Sequence, residues 1–194
     1  GDGFATGMSA NGAVVSGIGN TGAFRWTETT NEVPLTPVGG YGSALANAVS
    51  ADGSFIVGSS LGIGIPDGGT HAARWNEAGV ATDLGDLASG PIDAIAYDVS
   101  ADGSVVVGQG TVESSSTVTG FASEAFRWTE ATGMQGLGFL GEGYVSSSAN
   151  EVSPDGVLVF GTPSWDYGMD VFVWDARNGM RPLVAVLANE HGLD

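Results

Sequence analysis

The sequence predicts an all-β fold, a β-propeller-like array of four four-stranded antiparallel meander blades. Two repeated stretches predict it. A ten-residue stretch of the form VSADGSVVVG occurs four times, at residues 8–17, 49–58, 99–108 and 152–161. A four-residue stretch of the form AFRW follows each copy, at residues 23–26, 72–75, 125–128 and 171–174. A repeat of about 40 to 50 residues that contains four short strands is typical of propeller blades.

The ten-residue stretch predicts the first two strands of each blade, joined by a tight turn. An Asp tolerates the bridge region of the backbone map and the Gly after it accepts positive φ, so the pair favours a hairpin. Pro154 suits the second turn position of the fourth copy, and Asn11 replaces Asp in the first. The turn residues predicted to be structural are Asp52, Gly53, Asp102, Gly103, Asp155 and Gly156.

The AFRW stretch predicts the third strand. Its alternation places Phe24 and Trp26 on one face, with Ala23 and Arg25 on the other. Short apolar segments near residues 35, 84, 137 and 183 predict the fourth strand. A tryptophan takes the same apolar position in every unit, so four tryptophans are predicted to lie in the core: Trp26, Trp75, Trp128 and Trp174.

The spacing of these landmarks separates a uniform rim from a variable one. The separations Trp26–Ser50, Trp75–Ser100 and Trp128–Ser153 are 24, 25 and 25 residues. From the hairpin Ser to the Trp of the same unit, the separation varies from 17 to 28 residues. The length changes therefore lie between the second and third strands. They predict one rim of tight turns and one rim of variable connections, where repeat proteins place binding surfaces.

We expect one repeat domain over residues 1–194, with units at approximately 1–45, 46–95, 96–148 and 149–188. Apolar residues at helical spacing predict a short C-terminal helix over 184–191. Neither end of the sequence predicts a strand that would close a ring. Three arrangements fit: a compact four-bladed ring, part of a larger propeller, or an open array that associates with copies of itself through edge strands.

The run EAFRWTEATGMQGLG, together with HAARW and VSPDG, resembles the HAF-family extracellular repeat of bacteria. The resemblance extends over essentially the whole chain. Only His71 supplies the family's initial His, and Val173 stands where the other units have Arg. The resemblance implies a secreted or surface-attached bacterial protein, and it implies no catalytic residues.

The charge balance excludes several partners. The chain has 22 acidic residues, five arginines, no lysine and no cysteine, and its formal net charge is −17. Such a surface repels nucleic acid and anionic lipid. The apolar runs are too short to cross a bilayer. We therefore expect no nucleic-acid partner and no direct membrane insertion.

Three arginines take the same position in three units: Arg25, Arg74 and Arg127. One interpretation is a ring of groups that bind an anion. The favoured interpretation is a bridge from each arginine to a carboxylate or carbonyl of the neighbouring blade, because the planar guanidinium suits that role.

The segment PSWDYGMD does not follow the repeat pattern and supplies the candidate ligand-binding residues. Two aromatic residues beside carboxylates on a loop suit a sugar, because the rings stack and the acids accept hydroxyl hydrogen bonds. An aromatic side chain that folds back over its own blade is the alternative. The candidates are Trp165, Asp166, Tyr167 and Asp170.

Catalytic motifs are scarce. His71 and His191 stand alone in the sequence, without a nucleophile elbow or a metalloprotease motif. The pairs Asp83 with Asp86 and Asp93 with Asp98 are expected on the variable rim, where two carboxylates about 5 to 10 Å apart would suit glycoside hydrolysis. These carboxylates would also suit calcium, although no EF-hand loop is present. No cofactor is otherwise expected.

The expected function is binding rather than turnover. The chain is predicted to be an extracellular or cell-surface module that contacts a glycan or a protein through the variable rim. One alternative is a polysaccharide hydrolase or lyase that uses rim carboxylates. The other is a structural building block of a surface assembly.

Overall fold

The computed structural model describes residues 3–40, 42–62, 68–163 and 170–193. These residues form four separate four-stranded antiparallel sheets, each a meander whose strands pair in chain order. The predicted fold class, an all-β array of four meander blades, is confirmed.

The strands follow one another in four sets. Blade 1 contains β1 (Phe4–Met8), β2 (Val15–Gly19), β3 (Gly22–Thr27) and β4 (Asn31–Pro34). Blade 2 contains β5 (Ser43–Val49), β6 (Ile56–Leu61), β7 (Thr70–Trp75) and β8 (Ala81–Asp83). Blade 3 contains β9 (Ala94–Val99), β10 (Val105–Glu113), β11 (Phe121–Thr129) and β12 (Gly133–Gly136). Blade 4 contains β13 (Ser147–Val152), β14 (Val159–Pro163), β15 (Phe172–Asp175) and β16 (Gly179–Pro182).

One helix follows the last strand. Helix α1 spans Leu183–His191 and ends at Gly192, whose φ of 63° is left-handed. A short 3-10 turn, Val38–Gly40, lies in the connection between blades 1 and 2. Among the described residues, no helix has the length and apolar character needed to cross a membrane.

The hairpin between the first and second strands is held by its own side chains. The Ser100 hydroxyl accepts a hydrogen bond from the Val105 amide at 3.0 Å and donates to Asp102 at 2.8 Å. Asp102 in turn accepts from the Ser104 amide, and Gly103 adopts a φ of 73°. The other blades repeat the contact from the hairpin Ser to the amide five residues later. The repeated sequence therefore encodes a self-contained turn.

A glycine ends the ten-residue stretch in every unit because the first strand passes directly over it. A Cβ added at Gly108 would lie 1.9 Å from the Ile95 carbonyl oxygen, and one at Gly58 would lie 2.0 Å from that of Leu45. The first strand contains one extra residue at this level in all four blades, so its register with the second strand shifts. Each blade thus needs both a bulge and a glycine here.

The core lies between the blades. In the described part of the chain, the buried apolar side chains form three clusters, one at each junction between consecutive blades. At every junction the first strand of one blade packs on the second and third strands of the blade before it. A cavity of about 230 Å³ at the hairpin end is lined by residues of all four blades, which curve around it: Met8, Ala10, Val49, Ala51, Asp98, Val99, Ala101, Val152 and Pro154.

Candidate functional site

The two rims of the blade array differ in construction. The hairpins of one rim, here called the uniform rim, are joined by backbone hydrogen bonds from Ala10 to Ala51, from Asp52 to Ala101 and from Ala101 to Pro154. The opposite rim, called the variable rim, carries the connections from second to third strands and from each blade to the next. Those connections have two to eight residues between second and third strands and eight to ten residues between blades. The uniform rim is a repeated scaffold, and sequence differences concentrate on the variable rim.

Among the described residues, the hairpin of blade 3 has the longest strands on the variable rim. Its strands β10 and β11 are nine residues long, whereas the second and third strands of the other blades have four to six. The pairing continues to Glu113 and Phe121. Three extra residues of strand extend the hairpin by about 10 Å. The result is a regular two-stranded projection rather than an irregular loop.

The projecting hairpin is anchored by the connection that enters its blade. The Thr111 amide donates to the Asp93 carbonyl at 3.0 Å, and the Glu113 amide donates to the Ser89 carbonyl at 3.3 Å. These contacts fix the base of the hairpin, and they leave its end free.

Apolar side chains are exposed at the end of this hairpin. Val118 is fully exposed, Phe121 is 44% exposed, and Phe139 lies on the next connection at 36%. A shallow cavity of about 520 Å³ lies at the hairpin end, lined by Glu113, Ser114, Ser115, Thr119, Gly120 and Phe121. The sequence did not predict these residues as a binding surface, although the long polar segment QGTVESSSTVTGF contains Val118 and Phe121.

Only one of the four predicted ligand-binding residues, Asp170, is among the described residues. Trp165, Asp166 and Tyr167 lie outside the described residues. Asp170 lies on the variable rim and is exposed, and it accepts a hydrogen bond from the Tyr144 hydroxyl at 2.7 Å. This bond and the charge of Asp170 raise the pKa of Tyr144. The hydrogen bond between Tyr144 and Asp170 joins the connection between blades 3 and 4 to the connection between β14 and β15.

The variable rim carries negative charge without a balancing arginine. Three of the five arginines reach from the third strand toward the uniform rim, where they contact hairpin glycines. Of the other two, Arg177 lies in the turn between β15 and β16 on the uniform rim, and Arg181 in β16 donates to Asp175 beside that turn at 2.7 Å. Because the chain has no lysine, its positive side chains other than histidine all lie away from the variable rim. The described carboxylates of the variable rim include Asp83, Asp86, Asp93, Glu113, Glu124, Glu142 and Asp170.

The arginines of the third strands join neighbouring blades. Arg25 Nη1 donates to the Gly53 carbonyl at 2.7 Å, Arg74 Nη1 to that of Gly103 at 3.0 Å, and Arg127 Nη2 to that of Gly156 at 3.2 Å. Arg74 also stacks between two rings, with Cζ 4.3 Å from the centroid of Phe55 and 4.7 Å from that of Trp128. The geometry is that of a bridge between blades.

The repeated tryptophans are buried, as expected for core residues, in the two middle blades. Trp75 is completely buried, and its indole N–H donates to the Thr36 carbonyl of the preceding blade at 2.7 Å. Trp128 is 6% exposed. Trp26 and Trp174, in the two terminal blades, are half-buried.

One predicted acid pair is wrong. Asp93 precedes β9 on the variable rim, whereas Asp98 lies near the other end of the same strand, at the cavity of the uniform rim. Five residues of strand separate them by about 15 Å, which is too far for the two carboxylates of a glycosidase. Asp98 instead accepts a hydrogen bond from the Val152 amide at 2.8 Å. Burial and the Asp98 charge raise the pKa of its neighbour Glu151.

The other pair, Asp83 with Asp86, includes a carboxylate that is already engaged. Asp83 Oδ2 lies 3.0 Å from His71 Nδ1, and Asp83 Oδ1 accepts from the Gly85 amide. His71 is buried. The sequence indicated an isolated histidine, but the pairing of β7 with β8 brings His71 and Asp83 together. Within the described ranges, no group of three or more His, Cys, Asp or Glu side chains is arranged to hold a metal ion.

Comparison with known proteins establishes the fold. No protein-family model matches the chain, and no curated protein matches it. A putative TolB from Agrobacterium tumefaciens is similar in structure at 16% identity, with a TM-score of 0.61 and coverage of 93% of this chain and 61% of that one. TolB from Acinetobacter baumannii aligns at 11% identity and a TM-score of 0.59, covering 94% of this chain and 43% of that one.

The tricorn protease aligns at 13% identity with a TM-score of 0.57, over 87% of this chain and 17% of that one. The chain therefore spans less than two thirds of the length of each of these three structures. At these identities the likeness concerns architecture alone. The chain has a β-propeller-like fold with the blade arrangement of TolB-type structures.

Proposed function

We propose that this chain is an extracellular binding module that contacts a partner protein through the variable rim. The observation that carries the proposal is the projecting hairpin of blade 3, which presents Val118 and Phe121 to solvent from a base anchored by backbone hydrogen bonds. Exposed apolar side chains on a rigid support are typical of interaction surfaces, because they bury area without a large loss of conformational entropy.

The negative charge of the variable rim indicates the charge of the partner's surface. Glu113 lines the cavity at the apolar hairpin end, Asp93 contacts Thr111 on the same hairpin, and the arginines of the chain lie toward the opposite rim. Complementary charge favours encounter and correct orientation. We infer that the partner presents a basic surface around an apolar patch, and that the interaction weakens as salt concentration rises.

The extracellular location rests on the resemblance to the HAF-family repeat and on composition. The run from EAFRW to VSPDG carries that resemblance. The net charge of −17 gives strong self-repulsion between copies, which favours solubility in a secreted protein. Fractionation of the cells that produce the protein tests this part: the protein should appear in the medium or at the cell surface.

Photo-crosslinking from both rims tests the proposed binding surface. A photoreactive residue replaces Val118 or Phe139 on the variable rim, or the similarly exposed Val80 or Val157 on the uniform rim. In the producing cells, we expect discrete protein adducts from positions 118 and 139 only, with yield that falls at high salt. Equal adducts from positions 80 and 157, or none from any position, would contradict the proposal.

A glycan is the second candidate ligand. Asp170 and Tyr144 meet on the variable rim, and Asp170 follows Trp165 and Tyr167 in the sequence. A carboxylate next to aromatic rings suits a sugar. Binding to a polysaccharide library, with new reducing or unsaturated ends measured in the same wells, distinguishes this candidate from a hydrolase or a lyase. Binding without products that is lost in Trp165→Ala would favour the glycan over the protein partner.

A further inference from the structure

Each blade has two faces that meet its neighbours. The front face is the one that contacts the preceding blade, and the rear face is the one that contacts the next. Cross-strand pairing defines the front face of blade 2, because Ala46, Gly58 and Ala73 pair side by side, as do Ile56 and Trp75. The equivalent residues of the other blades follow from the same register.

The front face is fully covered wherever a preceding blade is present. Its inner-strand alanines, Ala46, Ala96 and Ala149, are completely buried. So are the second-strand residues Ile56, Val106 and Val159, and the third-strand residues Ala73, Phe126 and Phe172.

The front face of blade 1 has the same residue types, but it is uncovered. Ala5 is exposed, and Val15, Phe24 and Trp26 are only half-buried. The turn residue Gly12 is exposed, whereas its equivalents Gly53, Gly103 and Gly156 are buried. Blade 1 therefore has an intact junction surface, and none of the described residues forms a blade against it.

The three internal junctions define what such a surface binds. At each one, an apolar rear-face residue lies against the turn glycine of the next blade: a Cβ added at Gly53 would lie 2.7 Å from Val14 Cγ2, and one at Gly156 would lie 2.5 Å from Val105 Cγ2. At each one, a rear-face arginine donates to the carbonyl of that same glycine. The partner of a front face thus supplies an apolar side chain and an arginine at a fixed spacing.

Two cavities lie on the front face of blade 1, where a preceding blade would make these contacts. One, of about 390 Å³, is lined by residues 12–14 and by residues 26–29, and so places Gly12 beside Trp26. The other, of about 330 Å³, lies beside Ala5 and Phe24. Both lie along the surface that the internal junctions fill with the preceding blade.

The rear face of blade 4 matches this requirement only in part, because Leu158, at 36% exposure, takes the place of the apolar residue but the third strand carries no arginine. Val173 takes the place of the arginine, and Val171, at 40% exposure, takes the place of the buried alanine found in the other three blades. Arg181 pairs with Val173 in the sheet, but it donates to Asp175 Oδ2 at 2.7 Å, so a second copy docked through blade 4 would offer the Gly12 carbonyl no third-strand arginine. The best complement to blade 1 is a blade with the rear face of blades 1 to 3.

We propose that the front face of blade 1 is a docking surface for a further propeller blade whose third strand carries an arginine and whose second strand carries an apolar residue opposite Gly12. This surface lies on the side of the array and is distinct from the variable rim, so the proposal does not depend on the proposed function. Docking repeats the junction chemistry already present three times in the molecule.

Thiol labelling of an extended chain tests the proposal, because the protein contains no cysteine. Ala5→Cys is introduced into the chain alone and into a chain preceded by an added copy of residues 3–43, whose rear face carries Val14 and Arg25. A second extension uses residues 94–146, which carry Val105 and Arg127. We expect the labelling rate at position 5 to fall at least about 10-fold in an extended chain. Ala131 is exposed and remote from the junction, so Ala131→Cys should label at the same rate in the unextended chain and in both extended chains.

Matched controls identify the chemistry of the junction. An added copy with Val14→Asp and Arg25→Ala should lose the protection of position 5. Unchanged labelling with both extensions would overturn the proposal. Protection of position 5 in the unextended chain that grows with protein concentration would also overturn it, because a second copy would then be the occupant.

Discussion

Arg74 illustrates how a single side chain joins neighbouring blades. Its guanidinium donates to the Gly103 carbonyl of the next blade and lies between the rings of Phe55 and Trp128. Its side chain is only 12% exposed. The hydrogen bond and the stacking act at the same junction, so their loss should affect the stability of the whole array.

Arg74→Ala should lower the free energy of unfolding by about 2 kcal/mol, because a buried carbonyl loses its donor and two rings lose a cation. Urea denaturation followed by circular dichroism measures the change. Arg177→Ala is the matched control, since Arg177 is exposed, and it should change stability by less than about 0.5 kcal/mol. Equal effects of the two substitutions would contradict the bridging role.

Asp102 makes the stability of the fold depend on pH in the acidic range. The Ser104 amide, the Ser104 hydroxyl and the Ser100 hydroxyl all donate to its carboxylate and lower its pKa to about 2. A carboxylate whose pKa is lowered in the folded state stabilises the fold above its unfolded pKa, near 4, and that stabilisation is lost as the pH falls toward the folded value.

The melting temperature should therefore fall between pH 4 and pH 2, and Asp102→Asn should make that fall smaller. The first hairpin shows that an amide can replace the carboxylate, because Asn11 accepts from the Ser9 hydroxyl and from the Ala13 amide. Thermal melts of both proteins over this pH range provide the test. An identical pH dependence in the variant would show that Asp102 does not contribute.

At the scale of strands, the glycine that ends each ten-residue stretch has a strict steric requirement. The first strand crosses it so closely that the Ile95 carbonyl oxygen occupies the place of a Cβ at Gly108. Gly19, at the end of β2, has only ordinary van der Waals contacts, with Phe24 at 3.6 Å. Two glycines of second strands thus differ in their tolerance of a methyl group.

Gly108→Ala should destabilise the protein by about 3 kcal/mol, since the strand crossing must move to admit the added atom. Gly19→Ala should change stability by less than about 1 kcal/mol. Chemical denaturation of the pair measures the difference. Tolerance of Gly108→Ala would mean that β9 can shift away from β10 at little cost.

The sequence predicts the elements well because their signals are local. A Ser-x-Asp-Gly turn is stabilised by contacts within five residues, and the alternation in AFRW sets the two faces of one strand. Contacts between strands are harder to predict. His71 and Asp83 meet only because β7 and β8 pair, and Asp93 and Asp98 are far apart because β9 extends from one rim to the other.

The candidate site was predicted in position but not in its residues. The spacing of Trp and Ser identified the variable rim, because length changes are visible in sequence. Which side chains are exposed at the end of β10 and β11 depends on how far the strands continue to pair, and Ser, Thr and Gly residues do not fix that length. Val118 and Phe121 consequently required the structure, while Asp170 did not.

At the scale of the whole molecule, scaffold and binding surface are separate. The junctions use the front and rear faces, and the uniform rim uses its own turn hydrogen bonds. The arginines serve the scaffold, so the variable rim retains an unbalanced negative charge. This separation allows the connections of the variable rim to differ among blades without a change in blade packing.

Replacement of the blade 3 hairpin end tests this separation most directly. Residues 114–120 are exchanged for Asn-Gly, a two-residue turn that joins the paired residues Glu113 and Phe121. We predict that the melting temperature stays within about 3 °C of the original value and that crosslinked partner from position 139 falls at least about 10-fold. Full crosslinking at position 139 in the shortened protein, or loss of its fold, would contradict the account.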